Sequence, residues 1–267
     1  MSMIQAEHLT FFYPGSPDPV FEDAAFQIDT RWRLGLIGRN GRGKTTLLRL
    51  LMGEYPHEGT LAASESFGYF PSPVPKPERL TAEVLEDLCP DAESWRFPKE
   101  LGLLGVEEEA LWRPFSTLSG GERTKALLAA LFLQEGRFPL IDEPTNHLDA
   151  QGRELAAAYL RRQRGFLLVS HDRRFLDGCV DHILALNRSD IQVQAGNYSS
   201  WRDNFDRFQQ FEEAKDERLR KDVRRLQKAA RQTSVWSDRV ESSKTGAYDK
   251  GFVGHKSAKM MKRAKSL

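Results

Sequence analysis

The chain has 267 residues, 40% hydrophobic and 29% charged, enough to bury one sizeable core and still carry an appendage. No apolar run approaches the roughly 20 residues of a membrane-spanning helix, and no charged segment leads into a secretory apolar stretch, so insertion into a bilayer is not expected. The net charge of +1 is unevenly spread: from Trp201 to Leu267, 18 Lys and Arg oppose 10 Asp and Glu, a local +8 that leaves the first 200 residues at −7. An acidic body with a basic extension suits a phosphate-rich partner, or else a solvated helix face. Cys89 and Cys179 are the only cysteines and lack metal-ligand spacing, so a reduced, cytoplasmic setting is expected.

In chain order, "IQAEHLTFFYPG" reads as a strand closed by a Pro-Gly turn, followed by strands in "VFEDAAFQID" and "RWRLGLIG". "GRNGRGKTTLLRLLMG" then passes from a glycine-rich loop into an apolar-periodic helix that ends near Gly53. "SFGYFP" is a further strand, and the proline-rich "SPVPKPERL" after it cannot be a central one, because each proline removes a backbone donor. Short helices are predicted from about Thr81 to Leu111, and a longer one over "GERTKALLAALFLQ" leads to the strand "FPLIDEP". A helix around Gly152 to Arg164, the strand "GFLLVS", a shorter helix and the strands "HILALN" and "DIQVQAG" complete the body. Strands alternating with helices predict an α/β fold, a mostly parallel sheet covered on both faces.

After Gly196 apolar residues recur at three- and four-residue steps, from Trp201 through Phe205, Phe208 and Leu219 to Leu226 and Ala230, predicting a long amphipathic helix of coiled-coil type. The three glycines of "SSKTGAYDKGFVG" break it. The basic run "HKSAKMMKRAKSL" looks like the start of a returning helix, so an antiparallel hairpin is expected.

The chemistry concentrates in a few stretches. Gly38, Gly43, Lys44 and Thr45 fit G-x-x-x-x-G-K-[ST] between a predicted strand and a helix; such a loop curls backbone N–H groups around phosphates, and Lys44 adds a cation. Asn40, Gly41 and Thr46 lie in the same loop and are counted as nucleotide contacts. Thr45 would put its hydroxyl on Mg²⁺. "FPLIDEP" ends a strand in two acids: Asp142 would hold Mg²⁺ through its water shell, and Glu143 would orient and polarise the attacking water. "LLVSHD", expected two strands away, puts His171 just past a strand end, where ligands of parallel sheets collect.

With "LSGGE" (Leu118 to Glu122), "IDEPTNHLD" and His171 in this order, the chain resembles the ATP-binding cassette (ABC) superfamily, over nearly all of its first 200 residues. The resemblance implies a P-loop NTPase fold with an antiparallel β subdomain and a helical subdomain at about 72–130, ATP and Mg²⁺ as ligands, and ATPase activity. It also implies that Tyr13 stacks on adenine, that Ser119 and Gly121 contact the γ-phosphate with Gly120 beside them in the nucleotide site, and that Asp149 communicates between cassettes; strand alternation by itself turns Phe11 and Phe12 into the core. In this family the "LSGGE" loop completes the site of an opposite cassette, so a second cassette is the expected partner and a lone one should turn over weakly.

Asn146 and His147 in "EPTNHLD", and "GNYSSW" before a long charged helix, resemble family F, whose two cassettes act on ribosomes and are joined by a helical hairpin. That implies a cassette at 1–198 and a basic linker at 199–267 that stops in its returning helix, with the second cassette absent. Lys221, Arg224, Arg225, Lys228 and Arg231 then suit ribosomal RNA and transfer RNA phosphates. Trp201, Phe205 and Phe208 are expected to dock the helix on the cassette. Ser72 stands where many cassettes have a glutamine touching Mg²⁺ and water, a departure familiar in the antibiotic-resistance branch of family F, and "DKGFVGHKSAKMMKR" is similar to linkers of that branch, so ribosome protection is the favoured activity. A membrane-transporter subunit and a scaffold with little turnover are the alternatives.

Overall fold

The structure is a computed structural model that describes residues 2–187 and 190–242. The predicted tip and returning helix, 243–267, lie outside the described residues. The chain divides into two compact units, Met1–Arg202 and Asp203–Leu267.

In the first unit β1 (Met3–Phe11), β2 (Phe21–Asp29) and β4 (Glu58–Ala63) form a small antiparallel sheet in the order β2-β1-β4. The larger sheet runs β5 (Ser66–Phe70), β6 (Arg137–Asp142), β7 (Phe166–Val169), β3 (Arg33–Gly38), β8 (His182–Leu186) and β9 (Ile191–Ala195). Its pairs are parallel except that β9 runs against β8. The helices are α1 (Lys44–Leu51), α2 (Thr81–Leu88), α3 (Arg96–Leu103), α4 (Gly120–Leu133), α5 (Ala150–Arg162), α6 (Arg173–Cys179) and α7 (Tyr198–Ser242). Two 3-10 turns, Glu108–Trp112 and Phe115–Thr117, lie between α3 and α4.

Side-chain alternation on the large sheet builds two cores. Leu34, Leu36, Leu140, Leu167 and Leu184 face α1 and the small sheet, packing with Leu47, Leu48, Ile4 and Ile28. Ile37, Ile141, Leu168 and Ile183 face the other way, onto α4, α5 and α6. Both faces are therefore covered, and the central strands read as near-continuous apolar runs because their interior positions are buried.

Strand β4 was not predicted. Its sequence EGTLAA has no large apolar alternation, and it forms because β1 offers an edge, with Ala6 opposite Leu61. β1 itself is interrupted by register shifts, with His8 at φ 53° and its neighbour across the sheet, Asp23, at φ 50°. The expected position of "LLVSHD" is also corrected: β7 pairs directly with β6, one strand away, because the α5 crossover returns the chain to the adjacent slot.

Helix α7 is continuous from Tyr198 to Ser242. In the first unit Asn197 accepts a hydrogen bond from Ser200 N–H at 3.0 Å, an N-cap, and Tyr198 and Trp201 pack on the helical-side core. Asp177 of α6 accepts from Ser199 N–H at 2.8 Å and from its hydroxyl, and Arg173 lies over the Tyr198 ring. Phe208 is 63% exposed. Among the described residues no helix is long and apolar enough to cross a membrane.

Candidate nucleotide site

Strands β3, β7 and β6 are adjacent and parallel, so their carboxyl ends open at one edge of the sheet. The loop after β3 runs from Gly38 to Gly43 and enters α1. Gly43 has φ 90°, and a Cβ there would come within 2.5 Å of Val20 Cγ1, so both backbone and space demand glycine. No side chain caps α1, which leaves its first N–H groups directed out of the helix end, a ready anion site. Lys44 Nζ donates to the Gly38 carbonyl at 3.0 Å; burial lowers the pKa of this amine, while Glu143 and Asp142 oppose the shift.

The end of β6 meets this loop. Thr45 Oγ1 donates to Asp142 Oδ2 at 2.9 Å, and the Tyr69 hydroxyl donates to the same oxygen at 3.2 Å. Desolvation, with the Asp142 charge, pushes the Tyr69 hydroxyl up to about 12, so it remains a donor at neutral pH. The adjoining residue, Glu143, takes φ 51°, a left-handed conformation that side chains other than glycine adopt at a cost of about 1 to 3 kcal/mol. Its N–H still donates to Val169 O at 2.9 Å, so the turn is made without losing the link to β7.

The turn brings the Glu143 carboxylate to His171. Oε2 accepts from the His171 N–H at 3.4 Å; Oε1 lies 3.4 Å from His171 Nε2 outside hydrogen-bond geometry, and is buried with no other partner. Burial raises the Glu143 pKa, opposed by His171 and Lys44. A desolvated carboxylate with one oxygen unsatisfied is suited to take a hydrogen bond from water and then its proton.

The donors at Asp142 fit Mg²⁺. They are a hydroxyl and a carboxylate, hard oxygen ligands. Among the described residues no group of three or more His, Cys, Asp or Glu could hold a metal alone. An ion here would therefore complete its shell with substrate phosphate oxygens and water, the habit of Mg²⁺ in phosphoryl-transfer sites.

Tyr13 is tied to α1, its hydroxyl 2.7 Å from Thr46 Oγ1, and its ring stands edge-on to Phe11 and Tyr55. Of the two preceding aromatics only Phe11 is in the core; Phe12 is 45% exposed, correcting the expectation that both turn inward. Asn40 and Gly41 are exposed on the loop.

Ser119, Gly120 and Gly121 lie at the start of α4. Ser119 caps α4: its hydroxyl accepts from Glu122 N–H at 3.2 Å while Glu122 accepts from Ser119 N–H at 2.7 Å. Cβ atoms on Gly120 and Gly121 would lie 3.4 Å from His147 Cβ and 3.3 Å from His147 O, so the "TNHLD" turn packs on the "SGGE" turn. Asp149 caps α5 by accepting from Gly152 N–H at 2.7 Å.

Lys221, Arg224, Arg225, Lys228 and Arg231 are all exposed on α7, with Lys221 2.8 Å from Glu217. Sequence reasoning missed Tyr69, whose reach to Asp142 follows only from the β5–β6 pairing, and Ser72 turns away, donating to Tyr69 O at 2.9 Å.

The model of the family described as ABC transporter matches residues 21–146. This stretch is an ATP-binding cassette domain. The chain is 32% identical over 188 residues to ABC transporter F family member 5 of Arabidopsis thaliana, covering 67% of this chain and 27% of that protein. It is 30% identical over 210 residues to ATP-binding cassette sub-family F member 3 of Rattus norvegicus, covering 75% and 29%. All of the chain aligns at 28% identity with 52% of an uncharacterised ABC transporter ATP-binding protein, YfmR, of Bacillus subtilis. The chain thus spans a quarter to about half the length of these F-family and ATP-binding relatives. In fold it is similar to the ATP-binding subunit of an ABC transporter (TM-score 0.64, 23% identity, 76% of this chain and 93% of that one). It is also similar to a dimeric bacterial ABC transporter cassette (TM-score 0.62, 17% identity, 72% and 98%).

Proposed function

We propose that this cassette binds Mg-ATP and hydrolyses it to ADP and phosphate. The observation that carries the reading is the meeting of the Thr45–Asp142 pair with the strained, half-buried Glu143 and His171 at the mouth of an uncapped helix. In the proposed step Lys44 and the α1 N-terminus, with Gly38, Asn40, Gly41, Gly43 and Thr46 around them, hold the phosphates, and Tyr13 faces the adenine. Glu143 accepts the proton of the water that attacks the γ-phosphorus, and His171 steadies that carboxylate and the γ-phosphate. Mg²⁺, when bound at Thr45 and Asp142, would neutralise phosphate charge.

Ser119, Gly120 and Gly121 contact Glu122 and His147 at the start of α4, and the proposed site is shared between two cassettes, each presenting this turn to the other's nucleotide. A dimeric cassette among the fold relatives supports the same arrangement. A second cassette, in the same polypeptide or as a second copy, is the proposed partner, and a lone cassette turns over slowly. The Glu143→Gln variant with ATP should form a stable head-to-tail pair, read by size-exclusion chromatography with light scattering; a monomer at saturating ATP would sink this part of the reading.

The F-family relatives and the segregation of charge into residues 201–267 support a cytoplasmic ribosome-acting protein whose basic helix meets ribosomal and transfer RNA, with antibiotic protection or translational control as its purpose. The test is ATP-dependent cosedimentation of the Glu143→Gln protein with ribosomes. Sedimentation free of ribosomes at low salt would overturn the RNA partner and leave the ATPase reading intact.

A further inference from the structure

The geometry points to Tyr69 as a positioning residue for the metal-side carboxylate: its hydroxyl holds Asp142 in place, a task that the shorter Ser72 does not perform here. The inference rests on the Mg-ATP reading above and adds to it a residue that no sequence motif marks.

Strands β5 and β6 pair in parallel. Tyr69 stands opposite Leu140, and Asp142 lies two residues further along β6, on the same face as Leu140. Tyr69 and Asp142 are therefore diagonal cross-strand neighbours, a separation that an aromatic side chain bridges. The hydroxyl arrives 3.2 Å from Asp142 Oδ2, and the Thr45 hydroxyl meets the same oxygen at 2.9 Å. Two donors from two elements, β5 and α1, thus pin one oxygen.

Ser72, three residues further on, donates to the Tyr69 carbonyl at 2.9 Å. That bond closes the turn after β5 and steadies the backbone of the residue that does reach the carboxylate. The Tyr69 ring is half-buried and packs on the core that includes Phe138 and Leu140, so the phenol has little freedom to turn away. Outer partners of metal-side ligands fix ligand orientation, and their loss typically costs about 10- to 100-fold in metal affinity or activity.

Tyr69→Phe keeps the ring and removes only the donor. Binding of a fluorescent ATP analogue is followed as Mg²⁺ is titrated into the chain, with a parallel measurement in EDTA, for the wild type, Tyr69→Phe and Ser72→Ala. The expected result is that Tyr69→Phe raises the half-saturating Mg²⁺ concentration about tenfold, leaves the affinity in EDTA unchanged, and leaves the melting temperature in EDTA unchanged, while Ser72→Ala moves the Mg²⁺ curve less. A Tyr69→Phe curve that superposes on the wild type overturns the inference. So does an equal loss of affinity, or a lower melting temperature, in EDTA, because the hydroxyl would then serve folding rather than the metal side. A wild-type chain whose nucleotide binding ignores Mg²⁺ would instead strike the Mg-ATP reading itself.

Discussion

The nucleotide site and helix α7 are built in opposite ways. The site draws Lys44, Tyr69, Asp142, Glu143 and His171 from distant stretches of chain, and only the parallel order of β5, β6, β7 and β3 brings them to one edge. The basic stripe of α7 needs no such help: Lys221, Arg224, Arg225 and Lys228 share a face because a helix returns every three to four residues. Chemistry that must strip water from a phosphate requires a packed, partly desolvated setting, whereas neutralising a phosphate backbone requires only exposed charge. Substitutions at the site should therefore act singly and steeply, and those on the helix gradually and additively.

The sharpest break comes from Glu143→Gln. Removal of the proton acceptor should lower turnover by about 10²- to 10⁴-fold with ATP affinity retained, measured by phosphate release in a preparation containing both cassettes. A loss of only a few-fold would place the base elsewhere and make the strained turn at Glu143 a purely structural feature.

That steepness explains what the sequence disclosed. The phosphate loop, Asp142, Glu143 and His171 were legible because contiguous motifs carry them, and the large sheet because its strands are apolar throughout. Strand β4 was not, since EGTLAA takes its conformation from the β1 edge rather than from its own pattern. Tyr69 was hidden for the same reason: its distance to Asp142 is a property of strand register. Along α7 a helical period says which residues share a stripe but not what the stripe meets.

Tyr13 tests the site at a smaller scale. Tyr13→Ala should weaken ATP binding about tenfold through lost ring contact. Tyr13→Phe, which loses only the hydroxyl bond to Thr46, should weaken it less than about fivefold. Equal effects in the two variants would mean that the tie to α1, not the ring, sets the affinity.

On the helix side, changing Arg224 and Arg225 to Gln should make the dependence of log affinity for RNA on log salt shallower by roughly 1.5, about 0.7 to 0.9 for each phosphate contact removed. Either residue alone should give about half that change. A full loss from one substitution would show that α7 reads a built site, as the cassette does, instead of a charged surface.

The smallest effect belongs at the joint, where local and tertiary contributions meet. Asn197 caps α7 by a purely local bond to Ser200, whereas Asp177 of α6 holds Ser199 across 22 residues of chain. Asn197→Ala should cost about 1 kcal/mol, the ordinary worth of an N-cap, and Asp177→Ala a similar amount. The two share the first turn of one helix, so a double-mutant cycle on chemical unfolding should give a coupling of about 0.5 kcal/mol or more. Strict additivity would mean that the helix start forms without reference to α6, leaving the His171 loop, which leads into α6 through the Asp172 cap, no packed route to the first turn of α7.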